Sequence, residues 1–353
     1  RIHTFLSAST AIASHRQRRR AAAMDGDIKN FTAVSVTAAA SLCYCYILSR
    51  RVPTGAARLI SMLPVICAFT LLPLCFSFTP LVGPTAFLLS WLANFKLLLL
   101  AAGIGPLSSP NLPLPQFLAV AALPIIPLSG YKLAPSPTSI QFPVTPSRSA
   151  MASAKFLVLG AMLSIHDRRP RLSDAVLWGI YCCQVYLAVE LLLAFGSAVA
   201  WVALGLESEP QFRDPYLATS LQDFWGRRWN LTVPSILRDA VHRPVRRVCE
   251  PVVGRAGGQA AGLVATFLVS GLMHELIFFY LTRARPTWEV TLFFVVQGAC
   301  TAAEAAVKWA AAAAAVRLPA VVSRVLTLGF VAVTVKWLFL PQITREGTHV
   351  LKL

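Results

Sequence analysis

Residues 259–281 read QAAGLVATFLVSGLMHELIFFYL. The stretch is about one bilayer span of apolar residues with a His–Glu pair, His274 and Glu275, set inside it. Roughly 20 apolar residues cross a hydrocarbon core. An ionisable side chain at that depth costs about 3 kcal/mol or more, so it marks a function by default. At a rise of about 1.5 Å per residue, His274 falls roughly 22 Å from one end of the stretch and 10 Å from the other. It lies within the membrane, off centre.

Composition extends that reading to the whole chain. The 353 residues are 56% hydrophobic and 13% charged, with a mean hydropathy of +0.63. Soluble domains carry about 25% charged residues. The deficit and the long apolar runs predict an all-α fold, a polytopic transmembrane helical bundle of about eight spans. The lipid bilayer is then the first partner. A net charge of +17 belongs to loops and ends, over anionic headgroups on the cytosolic side. No zinc-finger, RNP or basic-helix pattern accompanies it, which argues against nucleic acid. The cysteines lie in apolar runs, Cys249 excepted, with no CxxC pair and no Cys/His metal spacing. No metal site is expected from them.

From the first segment onward the chain alternates apolar runs and basic turns. Residues 1–23 carry five Arg and no acid. They read as a disordered or non-native N-terminal extension, transit-peptide-like in composition, with Met24 the favoured start and 24–353 the functional domain. Residues 31–48, 56–78 and 81–101 are the first three hydrophobic segments. Lys96, four residues from the end of the third, reads as a snorkelling interface anchor. Residues 105–146 hold ten prolines, which block helix interiors. This predicts an extended loop with at most a short re-entrant piece near 117–128, tolerable at membrane depth only if buried in protein. Residues 151–164 are a partial span. A basic turn follows, His166-Asp167-Arg168-Arg169-Pro170-Arg171, and then 176–206 as one long span or two tight ones. The polar block 207–258 reads as the longest segment outside the membrane. Residues 288–316 and 320–340 complete the spans, with Glu304 and Lys308 spaced for an i,i+4 ion pair. No internal repeat is evident, which weakens a proton-coupled transporter built on paired halves.

Two places carry the chemistry. A neutral imidazole is a general base, and Ser270, one turn before His274, can hydrogen-bond the ring. Gly271 on the same face leaves room for a substrate. Glu275, about 100° further round, can orient a neighbouring element. Upstream lies DFWGRRWN, residues 223–230. An aromatic belt explains Trp225 and Trp229 but not the polar groups packed among them. The amide of Asn230 can orient a nucleophile or donate to a developing oxyanion. Arg227 and Arg228 offer guanidinium forks for the phosphates of a nucleotide-like group. Trp225, Arg227, Arg228, Trp229, Ser270 and Glu275 are therefore the candidate substrate-binding residues, and His274 and Asn230 the candidate catalytic pair. There is no GxSxG elbow, P-loop or kinase set.

DFWGRRWN at 223–230 followed by SGLMHE at 270–275, in a basic polytopic chain of this length, resembles the membrane-bound O-acyltransferase superfamily. It is more closely similar to the plant wax synthases, the long-chain-alcohol O-fatty-acyltransferases. MDGDIKN at 24–30, SLCYCY at 41–46, SWLANFKLLLL with GPLSSP at 90–110, and RPRLSDAVLWGIYCCQVYLAVEL extend the likeness to the C-terminus. The resemblance puts the superfamily's intramembrane histidine on His274 and its upstream polar residue on Asn230. It implies a helical bundle enclosing an intramembrane catalytic chamber in the endoplasmic reticulum membrane. There a long-chain fatty acyl group passes from acyl-CoA, a co-substrate, to a long-chain fatty alcohol, forming a wax ester with no cofactor. Diacylglycerol or a sterol is the alternative acceptor. The arginine-rich 1–23 segment and the poly-alanine run at 310–315 depart from the family pattern.

Overall fold

The computed structural model describes residues 2–125, 146–164, 172–206, 208–313 and 318–344, and every element among them is helical. The turn at 166–171 and part of the poly-alanine run lie outside the described residues. Helix α1 spans Ile2–Arg51, its apolar, bilayer-length part beginning at Gly26. Residues 2–23, expected to stand outside the fold, continue it as helical backbone. Then follow α2 (Ala56–Leu71), α3 (Thr79–Ala101), the short α4 (Leu114–Ala122), α5 (Pro146–Ser164) and α6 (Asp174–Leu204). The last three are α7 (Thr232–Thr282), α8 (Glu289–Ala313) and α9 (Ala320–Ile343). Among the described residues, seven stretches are long and apolar enough to cross a membrane. Seven is in keeping with the expected number of about eight, and one of them, α7, folds back on itself.

The fold-back is set by Gly254, whose backbone (φ 75°, ψ 172°) is open to glycine and strained for any other residue. The two arms of α7 then run side by side: Gly258 abuts Glu250, and Gly262 abuts His242. Residues 232–253, read from sequence as part of a loop, are therefore helical and packed against the span they precede. Thr232 and Leu237 are fully buried and Gln211 nearly so. The arginines at 238–255 masked an arm that packs against the span it precedes. Residues 176–206, in contrast, are one helix, closed by Gly205 in the left-handed conformation.

The bundle's two ends are fixed by polar clamps. At one, Asp27 accepts from the backbone N–H groups of Ser77 (3.1 Å) and Phe78 (2.6 Å), just ahead of α3. Arg283, past the end of α7, donates to the carbonyls of Pro73, Leu74 and Phe76. At the other, buried Arg58 donates to Ser49, Val52 and Leu100, carbonyls at the ends of α1 and α3. The second arm of α7 ends on the Asp27 side, so the Gly254 turn lies on the Arg58 side. A pocket of about 430 Å³ opens there, lined in part by Arg50, Arg58, Thr54 and Ser108. None of the candidate site residues lines it. Leu100, on its wall, is nine residues along α3 from Trp91, about 14 Å.

Helix α4 is the expected short apolar piece, starting at Leu114 with its core residues Phe117, Val120 and Ala121 buried. Its last turn ends inside the protein, where no water can satisfy the orphan carbonyls. Lys96 does so. Its ammonium donates to Val120 (2.6 Å) and Leu123 (2.7 Å) and is 1% exposed. The snorkelling anchor expected from sequence is thus a buried cap on the negative end of a helix. Helix α5, the expected partial span, is tied to α6 by Lys155–Glu190 (2.5 Å) and Gln184 to the Met162 carbonyl (3.0 Å). Glu304 and Lys308 form the expected i,i+4 pair at 2.8 Å.

Candidate active site

His274 sits on the second arm of α7, where that arm meets α8. Gly271 makes the meeting close: a Cβ there would stand 2.8 Å from the Cα of Thr291. The space expected at Gly271 for a substrate is taken by α8. Gly298 plays the same part opposite Phe267. Glu275, 4% exposed, accepts from the Thr291 N–H at 3.2 Å. It satisfies one of the free amides in the first turn of α8.

The imidazole is enclosed by rings. Phe294 stacks on it at 4.3 Å, Trp91 meets it edge-on at 5.0 Å, and Phe339 lies at 5.9 Å. Nδ1 is 2.7 Å from the carbonyl oxygen of Ser270. A carbonyl only accepts, so Nδ1 carries the proton and Nε2 presents a lone pair. The bond expected from Ser270 is therefore made by its backbone rather than its hydroxyl. Nε2 has no protein partner among the described residues. That is the state in which an imidazole takes a proton.

Asn230 is reached by a different route. It holds a left-handed backbone (φ 40°) between the wide turn Phe224–Arg228 and α7. Asn tolerates that conformation better than other non-glycine residues. Its side chain is buried, and Oδ1 has no hydrogen-bond partner. A buried polar atom left unpaired calls for an explanation, and a ligand-facing amide supplies one. No hydrogen bond joins Asn230 to His274. Two packing routes bring their neighbourhoods together. Val233, three residues after Asn230, shares a buried cluster with Trp91, which touches His274. Trp225, five residues before, packs on Phe294 at 6.0 Å, the ring that stacks on His274.

The remaining candidates divide. Trp225 donates from Nε1 to Gln297 (3.0 Å), which donates on to Thr334 (2.7 Å). Trp229 stacks on Phe224 and meets Phe212 and Tyr186. Both tryptophans are half-buried and packed among other rings. Arg228 is committed to Asp223 (2.7 Å) and to the carbonyls of Arg213 and Asp214, so it braces the loop. Arg227 is exposed. The sequence reading missed Trp91, Phe294 and Phe339. Each sits in an apolar run where one more aromatic carries no signal, although two of them lie in π-helical turns, Ala86–Ala93 and Val335–Phe339. Such wide turns gather at functional sites, but sequence periodicity does not reveal them.

The described residues thus form a helical membrane bundle that places a one-sided imidazole and an amide with an unpaired Oδ1 in neighbouring packing layers. A profile of the membrane bound O-acyl transferase family matches residues 208–296, which hold both groups. The long-chain-alcohol O-fatty-acyltransferase of Simmondsia chinensis is 46% identical over 329 residues, 92% of each chain. Probable long-chain-alcohol O-fatty-acyltransferase 1 of Arabidopsis thaliana is 44% identical over 331 residues, 92% of this chain and 94% of its own. Acyl-CoA–sterol O-acyltransferase 1 of Arabidopsis thaliana is 44% identical over 316 residues, 86% and 88% of the two chains. The chain belongs to the membrane-bound O-acyltransferase family and is a multi-pass membrane protein.

Proposed function

We propose that the protein transfers a long-chain fatty acyl group from acyl-CoA to a long-chain fatty alcohol, forming a wax ester. The observation that carries the reading is the Nδ1 bond to the Ser270 carbonyl, which leaves Nε2 of His274 unpartnered inside the membrane. The alcohol oxygen attacks the thioester carbon as Nε2 takes its proton. The amide N–H of Asn230 donates to the oxyanion of the tetrahedral intermediate. Collapse expels the thiolate, and His274 returns the proton to it, leaving free CoA and the ester. Both substrates are held together, so proximity supplies much of the rate, and the residues need no cofactor or metal to complete the cycle. Acyl-CoA enters from the face that carries Arg50, Arg58 and the Gly254 turn, the cytosolic face by its positive charge. The alcohol enters from the bilayer, which we place in the endoplasmic reticulum.

The 44% identity to a sterol O-acyltransferase favours a second acceptor class, since chain selection resides in tunnel shape rather than in the catalytic groups. The test is expression in a host lacking neutral-lipid synthesis, with labelled palmitoyl-CoA and a panel of hexadecanol, sterol and diacylglycerol. Wax ester as the main product is expected. Sterol ester or triacylglycerol as the main product would replace the acceptor. His274→Ala should lower transfer at least about a hundredfold, the usual scale for a general base, with the membrane-inserted amount unchanged. Undiminished transfer would remove the mechanism.

A further inference from the structure

We infer that Gln211, Thr232 and Lys96 form a positioning frame for Asn230, with the buried end of α4 as its fixed part. The inference rests on the catalytic reading of Asn230 given above.

The frame begins with a problem of backbone strain. A left-handed Asn with a buried, unpaired Oδ1 has two reasons to relax, and neighbouring groups must hold it. The residues on its C-terminal side are held twice by Gln211. The Leu231 N–H donates to the Gln211 backbone carbonyl at 2.9 Å, and the Thr232 hydroxyl donates to the Gln211 side-chain carbonyl. Gln211 is itself turned by its amide N–H, which donates to Ser208 Oγ (3.3 Å) and the Glu209 carbonyl (3.1 Å). Thr232 is wholly buried and Gln211 6% exposed, so these bonds do not compete with water.

The same hydroxyl lies 3.5 Å from the carbonyl of Pro124, just beyond α4. Pro124 is immobilised on its other sides. Lys96 grips the carbonyl of the preceding residue, Leu123. On α6, Gly196 lets the proline ring approach so closely that a Cβ there would stand 2.6 Å from its Cδ. Helices α4, α6 and α3 thus converge on one point, and Thr232, its single hydroxyl proton given to Gln211, packs against that point beside the turn of Asn230. Lys96 has no carboxylate partner among the described residues, and the carbonyl end of α4 is its counter-charge. A buried cation with that single duty is unusual for packing alone. None of the three residues is placed in contact with substrate; they act through Asn230.

The test uses the full chain in membranes, with initial rates measured against palmitoyl-CoA and hexadecanol separately. Thr232→Val, which leaves the buried Gln211 Oε1 without its donor, is expected to lower kcat at least about tenfold and the thermal midpoint in detergent modestly, with KM for palmitoyl-CoA within about twofold. Thr232→Ser, which restores the hydroxyl, should recover kcat to within about threefold of the parent. Asn230→Gly keeps the turn and removes the amide, and it should be inactive. Normal kcat in Thr232→Val with Asn230→Gly inactive overturns the frame and leaves the catalytic reading standing. Full activity in Asn230→Gly overturns the catalytic reading itself. A fall in thermal midpoint that Thr232→Ser corrects without correcting kcat assigns Thr232 to packing and also overturns the frame. If Thr232→Val does not fold, Gln211→Asn, which withdraws the acceptor by one methylene, is read by the same criteria.

Discussion

At the scale of single residues, His274 and Asn230 are prepared in opposite ways. The imidazole is fixed by one short backbone bond and three aromatic neighbours, whereas the amide is held by its turn with Oδ1 left unpaired. This separates stability from activity at position 230. Asn230→Gly relieves the left-handed strain, so its thermal midpoint in detergent should equal or exceed that of the parent while transfer is lost. Asn230→Ala keeps the strain without the tolerance of Asn and should be destabilised by about 1–2 kcal/mol. Equal midpoints for the two would show that the turn does not carry this strain. Both catalytic candidates were readable in the sequence because each breaks its surroundings: an ionisable group in an apolar run, and an amide among tryptophans. Lys96 was misread because snorkelling is judged from distance to the end of a run. The acceptor that actually takes its protons belongs to a helix some 25 residues away in sequence. Glycine 271 was misread for a related reason, since a missing side chain is equally consistent with room for a ligand and room for a neighbouring backbone.

At the scale of elements, the α7–α8 contact decides whether the imidazole points into the bundle. Gly271→Ala puts a methyl carbon against the Thr291 backbone, and backbone cannot rotate away as a side chain can. The two helices must separate, at a cost of about 1–3 kcal/mol, and the Phe294 stack on His274 should loosen with them. A lowered midpoint together with lowered kcat is expected. Glu275→Gln, which still accepts from Thr291, should be milder than Glu275→Leu, which strands that N–H and should cost about 1 kcal/mol or more. Equal stability of the two Glu275 variants would deny the capping role. The existence of the spans was legible throughout, because 20-residue apolar runs have one physical interpretation. The first arm of α7 was not, because its arginines resemble a loop until Gly254 is known to return the chain against it.

At the scale of the molecule, a pattern links distant ends. Arg58 serves the carbonyls at the ends of α1 and α3, Lys96 those of α4, and Arg283 those of the turn after α2. Where a soluble protein would leave such oxygens to water, this one spends part of its positive charge on them. The architecture also fixes sidedness. With other accessible thiols replaced, a membrane-impermeant maleimide should label Cys249 and an Arg51→Cys variant from the same face, and an Arg285→Cys variant from the opposite one. Labelling of Cys249 and Arg285→Cys from one face would contradict the direction of α7.

Asp27 offers a practical corollary. Its carboxylate fastens the two residues that lead into the chain's third span from only three residues beyond Met24. Shortened versions that open at Met24 should therefore assemble and remain active, whereas those that open at Lys29 forfeit the fastening and should accumulate poorly. For anyone producing the enzyme, the usable boundary at this terminus is narrow, and it is drawn by one acid rather than by where the greasy residues begin.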